Sequence, residues 1–456
     1  MFSGGSPLAL PPFSRTMTRT TMPTDLTAIL DLVDARQDEL VALLCTLISY
    51  ETPAPPARNT QQAQAFVGSY LADLGFAIDM WDVYPGDPNV VGVLKGSGGD
   101  RFNSLILNGH MDVAEVSPGE AWDTGPFKPI VRDGVVIGRG AADMKGGLAG
   151  ALFALKLLRE QGVDLPGDIT FQSVIGEEVG EAGTLQCCRR GYTADLAVVV
   201  DTSDLQIQGQ GGVITGWITV KSRQTFHDGT RRQMIHAGGG LVGASAIEKM
   251  VKIIGGLQEL ERHWAVTKSY PGCPVGATTI NPAVIEGGRH AAFIADECRL
   301  WVTVHTYPNE NHADVVAEIE DYIHALAAAD LWLRDNPVQF KWGGISMIED
   351  RGEIFPALEV DPGHAGVRLL MASHDRVTGD TADISVSPTV TDGGWFGDAG
   401  IPAVIYGPGT LRYAHSVNEQ VSIDQLNTFV KVLIGFIVDW SRTERLAAPA
   451  VVPDAA

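Results

Sequence analysis

Three short apolar runs in this chain each stop on a polar cluster capable of chemistry, and that rhythm limits the fold more than any other feature. The run at 104–107 leads into Asn108-Gly109-His110, the run at 168–175 into Gly176-Glu177-Glu178, and the run at 196–200 into Asp201-Thr202. Between the first two, residues 146–158 set Leu148, Leu152 and Leu155 on one stripe, as an amphipathic helix requires. Helical patterns also fill 25–49 and 60–74, the second stopped by Gly75. Short strands alternating with helices predict an α/β fold, a mostly parallel sheet sandwiched by helices. Such sheets bind ligands beyond the carboxyl ends of their strands, and His110 and the acidic residues fall at those ends.

Near Gly211-Gly212 the texture changes, as expected for a chain of 456 residues, which is too long for one core. Residues 213–220 alternate like a half-exposed strand, and 240–260 read as a long helix. Strands at 278–285 and 292–303, a helix at 312–328 and a strand at 338–342 follow. The order β-α-β-β-α-β predicts an inserted ferredoxin-like α+β domain over residues 212–345. The α/β texture then resumes, with a strand at 403–406 running into Gly407-Pro408-Gly409. The first domain is therefore divided, 26–211 and 346–445, while 1–25 and 446–456 are expected to be disordered extensions.

A formal charge of −22 argues against nucleic acid as a partner, because a phosphate backbone demands clustered Lys and Arg. The five cysteines, Cys45, Cys187, Cys188, Cys273 and Cys298, show no CxxC spacing. They read as reduced thiols of a cytoplasmic protein, not as a disulfide framework or a thiolate metal site. No stretch reaches membrane-spanning length, and 1–25 lack the continuous apolar core of a signal peptide. No membrane partner is expected. Met17 and Met22 leave room for a later start.

Each chemical residue also has an ordinary reading. His110-Met111-Asp112 is either a self-satisfied surface pair or a metal-binding His whose second ring N–H is held by a carboxylate two residues on. Asp143, in GRGAADMKGG at 138–147, serves equally well as a helix N-cap. That stretch lacks the third glycine of a dinucleotide fingerprint. Glu177-Glu178 resembles any solvated pair, yet one carboxylate can bind metal while its neighbour moves protons. Asp201 reads as a second cap and His415 as a surface histidine. Taken together, two His and several carboxylates supply nitrogen and oxygen ligands for two zinc-like ions.

The motifs HMD, GRGAADMKGG, Glu177-Glu178, VVVDT at 198–202 and GPG…AHSVNE at 407–419 resemble the acetylornithine deacetylase and succinyl-diaminopimelate desuccinylase family. These are co-catalytic zinc hydrolases related to aminoacylase and glutamate carboxypeptidase. The resemblance implies that His110, Asp143 and Asp201 hold one divalent metal and that Asp143, Glu178 and His415 hold the other. Zinc is expected, with cobalt or manganese as alternatives. It further implies that Asp112 orients His110, that Glu177 is the general acid/base and that the Asp143–Met144 peptide bond is cis. The insert becomes a lid that forms a homodimer. His227, with His236 as competitor, reaches the neighbouring subunit's site, and Asn281 faces substrate.

One departure bears on the substrate. Where the family has an arginine that grips a substrate carboxylate, this chain has His305, which cannot make that bidentate contact. Arg231 and Arg232 are the candidates to replace it. Within the family, the stretches at 49–60, 81–84 and 227–232 resemble members that take a formyl group off a carboxylate-free aminomethylpyrimidine in thiamine salvage. The expected reaction is hydrolysis of a small N-acylated amine. A deacetylase, desuccinylase, dipeptidase or aminoacylase of the same fold is the alternative.

Overall fold

The computed structural model describes residues 26–344, 346–349 and 351–445. The extensions at 1–25 and 446–456 lie outside the described residues, as does Ile345 at the expected edge of the insert. An eight-stranded sheet carries the larger core. From edge to edge it runs Ile384–Ser387, Ile207–Gln210, Ala403–Ile405, Leu196–Val199, Leu105–His110, Ile169–Val174, Asp87–Leu94 and Ala77–Tyr84. The four strands from Ala403–Ile405 to Ile169–Val174 are mutually parallel. An antiparallel hairpin closes one edge.

Alternation along Leu105–His110 divides the two faces. Leu105 and Leu107 join the core under the helices Gln37–Ser49, Lys145–Glu160 and Ile423–Ser441. Ile106 packs with Val199, Phe396 and Ile405 on the other face, beneath Gly183–Arg189 and Gly393–Asp398. In Lys145–Glu160 the expected stripe of Leu148, Leu152 and Leu155 is fully buried, each side chain stabilising by about 1.5–3 kcal/mol. Gly147 lets this helix approach the strand end that bears Asp201, since a Cβ there would lie 1.7 Å from the Val200 carbonyl oxygen.

The expected helix at 25–49 is two helices, Leu26–Ala35 and Gln37–Ser49, broken at Arg36, whose guanidinium is held by Glu39 and Glu160. The helix expected from 240 starts at Ala246, because glycines in the preceding stretch occupy conformations outside the helical region.

A second, antiparallel sheet follows in the order Thr279–Gly287, Glu297–His305, Val213–Lys221, Gln339–Trp342. Two helices, Ala246–Thr267 and His312–Ala328, close a separate core around Ile218, Ile253, Leu257, Trp264, Leu300 and Ile319. The chain order is the expected β-α-β-β-α-β. The third strand begins at Glu297, later than the expected 292. Phe293–Ile294 turns away to pair with Phe226–His227 in a short ribbon of its own. Among the described residues no helix is long and apolar enough to cross a membrane.

Candidate active site

Each cluster residue stands at the carboxyl end of a central strand or in a loop that comes over those ends. His110 closes Leu105–His110; Glu177 and Glu178 open a single helical turn after Ile169–Val174, preceded by Gly176 at φ +78°; Asp201 follows Leu196–Val199. Asp143 precedes the helix that starts at Lys145, and no side chain caps that helix. Its carboxylate is turned into the cluster instead of capping. The Asp143–Met144 bond is cis. His415 arrives from the loop after Ala403–Ile405 with its backbone at φ +58°.

Asp143 lies between the two histidines, Oδ1 at 3.2 Å from His110 Nε2 and Oδ2 at 3.3 Å from His415 Nε2. Glu178 Oε2 is 3.0 Å from His415 Nε2. Asp201 Oδ2 and Glu177 Oε2 each stand 3.9 Å from His110 Nε2. One ligand atom each from His110, Asp143 and Glu178 fall within 4.8 Å of one another. His110 Nε2 and Glu178 Oε1 are buried without a hydrogen-bond partner. Buried polar atoms are normally satisfied, and two orphans of metal-ligating type facing a knot of carboxylates fit a divalent cation.

The electrostatics agree. Burial pushes Asp201 up to about 7, with the Asp143 charge adding to it. Burial likewise holds the Glu177 carboxyl well above the usual range, against the opposing pull of His110. Asp143 and Glu178 drive His415 up to about 11. Burial disfavours charge on Asp143, but its contacts with His110 and His415 prevail and keep it well below the usual range.

Asp112 acts differently from the sequence expectation. His110 Nδ1 is 2.9 Å from the Asp112 backbone carbonyl oxygen and 3.8 Å from its carboxylate. The carboxylate is occupied elsewhere: Oδ1 accepts from the Gly176 N–H at 2.9 Å and Oδ2 from the Glu178 N–H at 3.0 Å. Asp112 therefore orients His110 through its main chain and fixes the Glu177-Glu178 turn through its side chain.

Among the described residues, no hydrogen bond or ion pair joins the insert candidates to this cluster. Asn281 and His305 share the face of the second sheet opposite its helices, with Asn281 paired to Thr303 and His305 to Thr279. Both are exposed. His227 is 67% exposed, and its Nδ1 accepts from the Gly229 N–H. Arg231 is paired with Glu248 on the surface of the insert, and Arg232 is exposed. The side chain of His236 is outside what the structure describes.

Three residues near the cluster escaped the sequence reading. Arg139 and Glu419 are fully buried and paired. Asp392 is buried with neither carboxylate oxygen hydrogen-bonded, and its charge helps raise Asp112 and Glu177. The first two sit inside GRGAADMKGG and AHSVNE, so the motifs that located the candidate ligands also contained them. Asp392, in a Thr-Asp-Gly-Gly turn, carries no comparable signal.

Comparison with known proteins follows the same lines. The model of Peptidase family M20/M25/M40 matches residues 106–439. The N-formyl-4-amino-5-aminomethyl-2-methylpyrimidine deformylase of Bacillus subtilis (strain 168) is 67% identical over 408 residues, covering 90% of this chain and 96% of that protein. Its namesake from Halalkalibacterium halodurans is 61% identical, with the same coverage. Among solved structures, the Bacillus subtilis YXEP protein, a dinuclear metal binding peptidase, superimposes with a TM-score of 0.60 at 16% identity. It covers 89% of this chain and 98% of that one, a likeness of fold. With the family model matched over residues 106–439 and 67% identity to a relative across 408 residues, the chain belongs to Peptidase family M20/M25/M40.

Proposed function

We infer that this chain is a deformylase of N-formyl-4-amino-5-aminomethyl-2-methylpyrimidine, hydrolysing the formamide to formate and the free aminomethylpyrimidine and so serving thiamine salvage. The observation that carries the substrate is the 67% identity to the Bacillus subtilis deformylase across nearly the whole chain. His305, where the wider family has an arginine, agrees with it. A ligand without a carboxylate gives such a guanidinium no bidentate partner.

His110, Asp143 and Asp201 would hold one divalent ion and Asp143, Glu178 and His415 the other, with zinc first and cobalt or manganese as alternatives. When bound, such ions bring the pKa of water down to roughly 7 and polarise the formamide carbonyl. Glu177 does the proton work: its carboxylate takes the proton of the attacking water and returns it to the leaving nitrogen as the C–O bond forms and the C–N bond breaks. A buried carboxyl with a raised pKa suits a group that must keep a proton between two steps. Asp112 keeps Glu177 in place by holding the N–H groups on either side of it.

We take residues 212–345 as a lid that also forms a homodimer. Its edge strand Thr279–Gly287 leaves Ile285 52% exposed, and the helix Ala246–Thr267 leaves Val251 62% exposed. An open edge beside exposed apolar side chains favours pairing with a second copy. Across that dimer His227 reaches the partner's site and donates to the developing oxyanion, while Asn281 and His305 face the pyrimidine. The five cysteines are all free, which supports a cytoplasmic location.

The substrate is tested by comparing kcat/KM for the formylaminopyrimidine with that for N-acetylornithine. The ratio is expected to be at least about tenfold, or roughly 1.4 kcal/mol of transition-state binding. Equal or reversed preference would assign the chain to general deacylation instead.

A further inference from the structure

The buried pair Arg139–Glu419 ties together the two loops that deliver Asp143 and His415. Arg139 is 1% exposed and Glu419 0%, and Arg139 Nη1 donates to Glu419 Oε2 at 2.8 Å. The other oxygen of Glu419 accepts the backbone N–H groups of Ala142 at 2.9 Å and Asp143 at 3.0 Å. On the far side, the guanidinium donates to the carbonyl oxygens of Ser416 at 3.2 Å and His415 at 3.4 Å, and to that of Glu115 at 3.3 Å. His415 has φ +58°, a left-handed conformation that a non-glycine residue keeps only where its surroundings impose it.

We propose that Arg139 and Glu419 are positioning residues, a rigid strut that sets the span between Asp143 and His415 and thereby the affinity for the second ion. The inference rests on the two-metal reading above. Stability alone does not explain such a pair, because a buried ion pair stabilises a fold no better than apolar residues of equal volume. Its geometry does explain it. One carboxylate oxygen is spent on the N–H groups of Ala142 and Asp143, and the guanidinium on the carbonyl of His415 and that of the next residue. The remaining ligands of the first ion are held otherwise: His110 by the Asp112 carbonyl and Asp201 by the Thr202 N–H. Loosening the Arg139 end should therefore weaken the two ions unequally.

The test uses the full chain, stripped by chelator and titrated with Co2+, following the bound equivalents by equilibrium dialysis and visible absorption. The unaltered chain should take up two equivalents. Arg139→Met should keep the first and bind the second about 10–100-fold more weakly, the usual cost of losing an outer partner of a metal ligand. Arg139→Lys still neutralises Glu419 but cannot span both carbonyls, so a strut predicts the same selective loss and simple charge balance predicts rescue. Lys249→Met, which breaks the Lys249–Asp330 pair buried in the insert, should cost stability with both ions retained. If Arg139→Met fails to fold, Arg139→Lys decides. Unaltered affinity for both ions in the Arg139 variants, or equal weakening of both, overturns the strut alone. An unaltered chain that binds a single ion overturns the two-metal reading, and the strut with it.

Discussion

Glu177 and Glu178 are adjacent in the chain, and the helical turn at 177–179 sends them to different histidines. Glu178 meets His415 at 3.0 Å, whereas Glu177 stands 3.9 Å from His110. That separation is the physical basis for giving one a ligand's role and the other a proton's. Glu177→Gln is expected to retain both ions while turnover falls by about 10²–10⁴-fold. Measuring bound metal alongside kcat checks it, and loss of an ion would mean that the two glutamates have exchanged roles. Asp112 makes a second case. Asp112→Asn turns an N–H2 toward one of the two N–H groups that its carboxylate now accepts. It should shift the Glu177 turn, lowering kcat by about 10–100-fold with KM for the formylaminopyrimidine little changed. A rise in KM at constant kcat would contradict that role.

At the scale of elements, strand ends and tight helix approaches place the candidate ligands. Gly147→Ala sets a Cβ against the Val200 carbonyl oxygen, which must push the helix Lys145–Glu160 away from the strand bearing Asp201. The expected outcome is a destabilisation of about 1–3 kcal/mol, read by denaturant unfolding. In the insert, burial acts to raise Asp330, but Lys249 and the N–H groups of Leu333 and Trp332 outweigh it and keep it well below the usual carboxylate range. A carboxylate depressed in the folded state contributes stability above its unfolded pKa of about 3.9 and loses it as pH falls through the folded value. Asp330→Ala should therefore cost about 1–3 kcal/mol at pH 7 and progressively less below about pH 4. A cost that does not vary with pH would contradict this.

Much of this was legible in the chain itself. Apolar runs stopping at His110, Glu177 and Asp201 reveal parallel strands ending in chemistry, and the β-α-β-β-α-β order of the insert follows from periodicity. The edge hairpin Ala77–Tyr84/Asp87–Leu94 was not legible, because its first strand lies largely open to solvent and has no apolar alternation to mark it. Nor was the division of labour in Asp112, since the pleat that brings its carboxylate toward His110 says nothing about N–H groups arriving from residues 176–178. Contacts between distant loops, such as Arg139 with Glu419, have no local signature at all.

For the whole molecule the insert matters as much as the body that carries the cluster. His227 sits exposed on it. If it completes the site across a dimer, mixing His227→Ala subunits with Glu177→Ala subunits should restore part of the lost activity through hybrid sites. No recovery despite proven subunit exchange would count against the trans arrangement. The proposed function is metal-dependent hydrolysis of a formylaminopyrimidine. Its most direct test is formate release from that substrate by chain stripped of metal and then resupplied with zinc or cobalt. Release should vanish on stripping and return with added metal, whereas full turnover in a verified metal-free preparation would contradict the account.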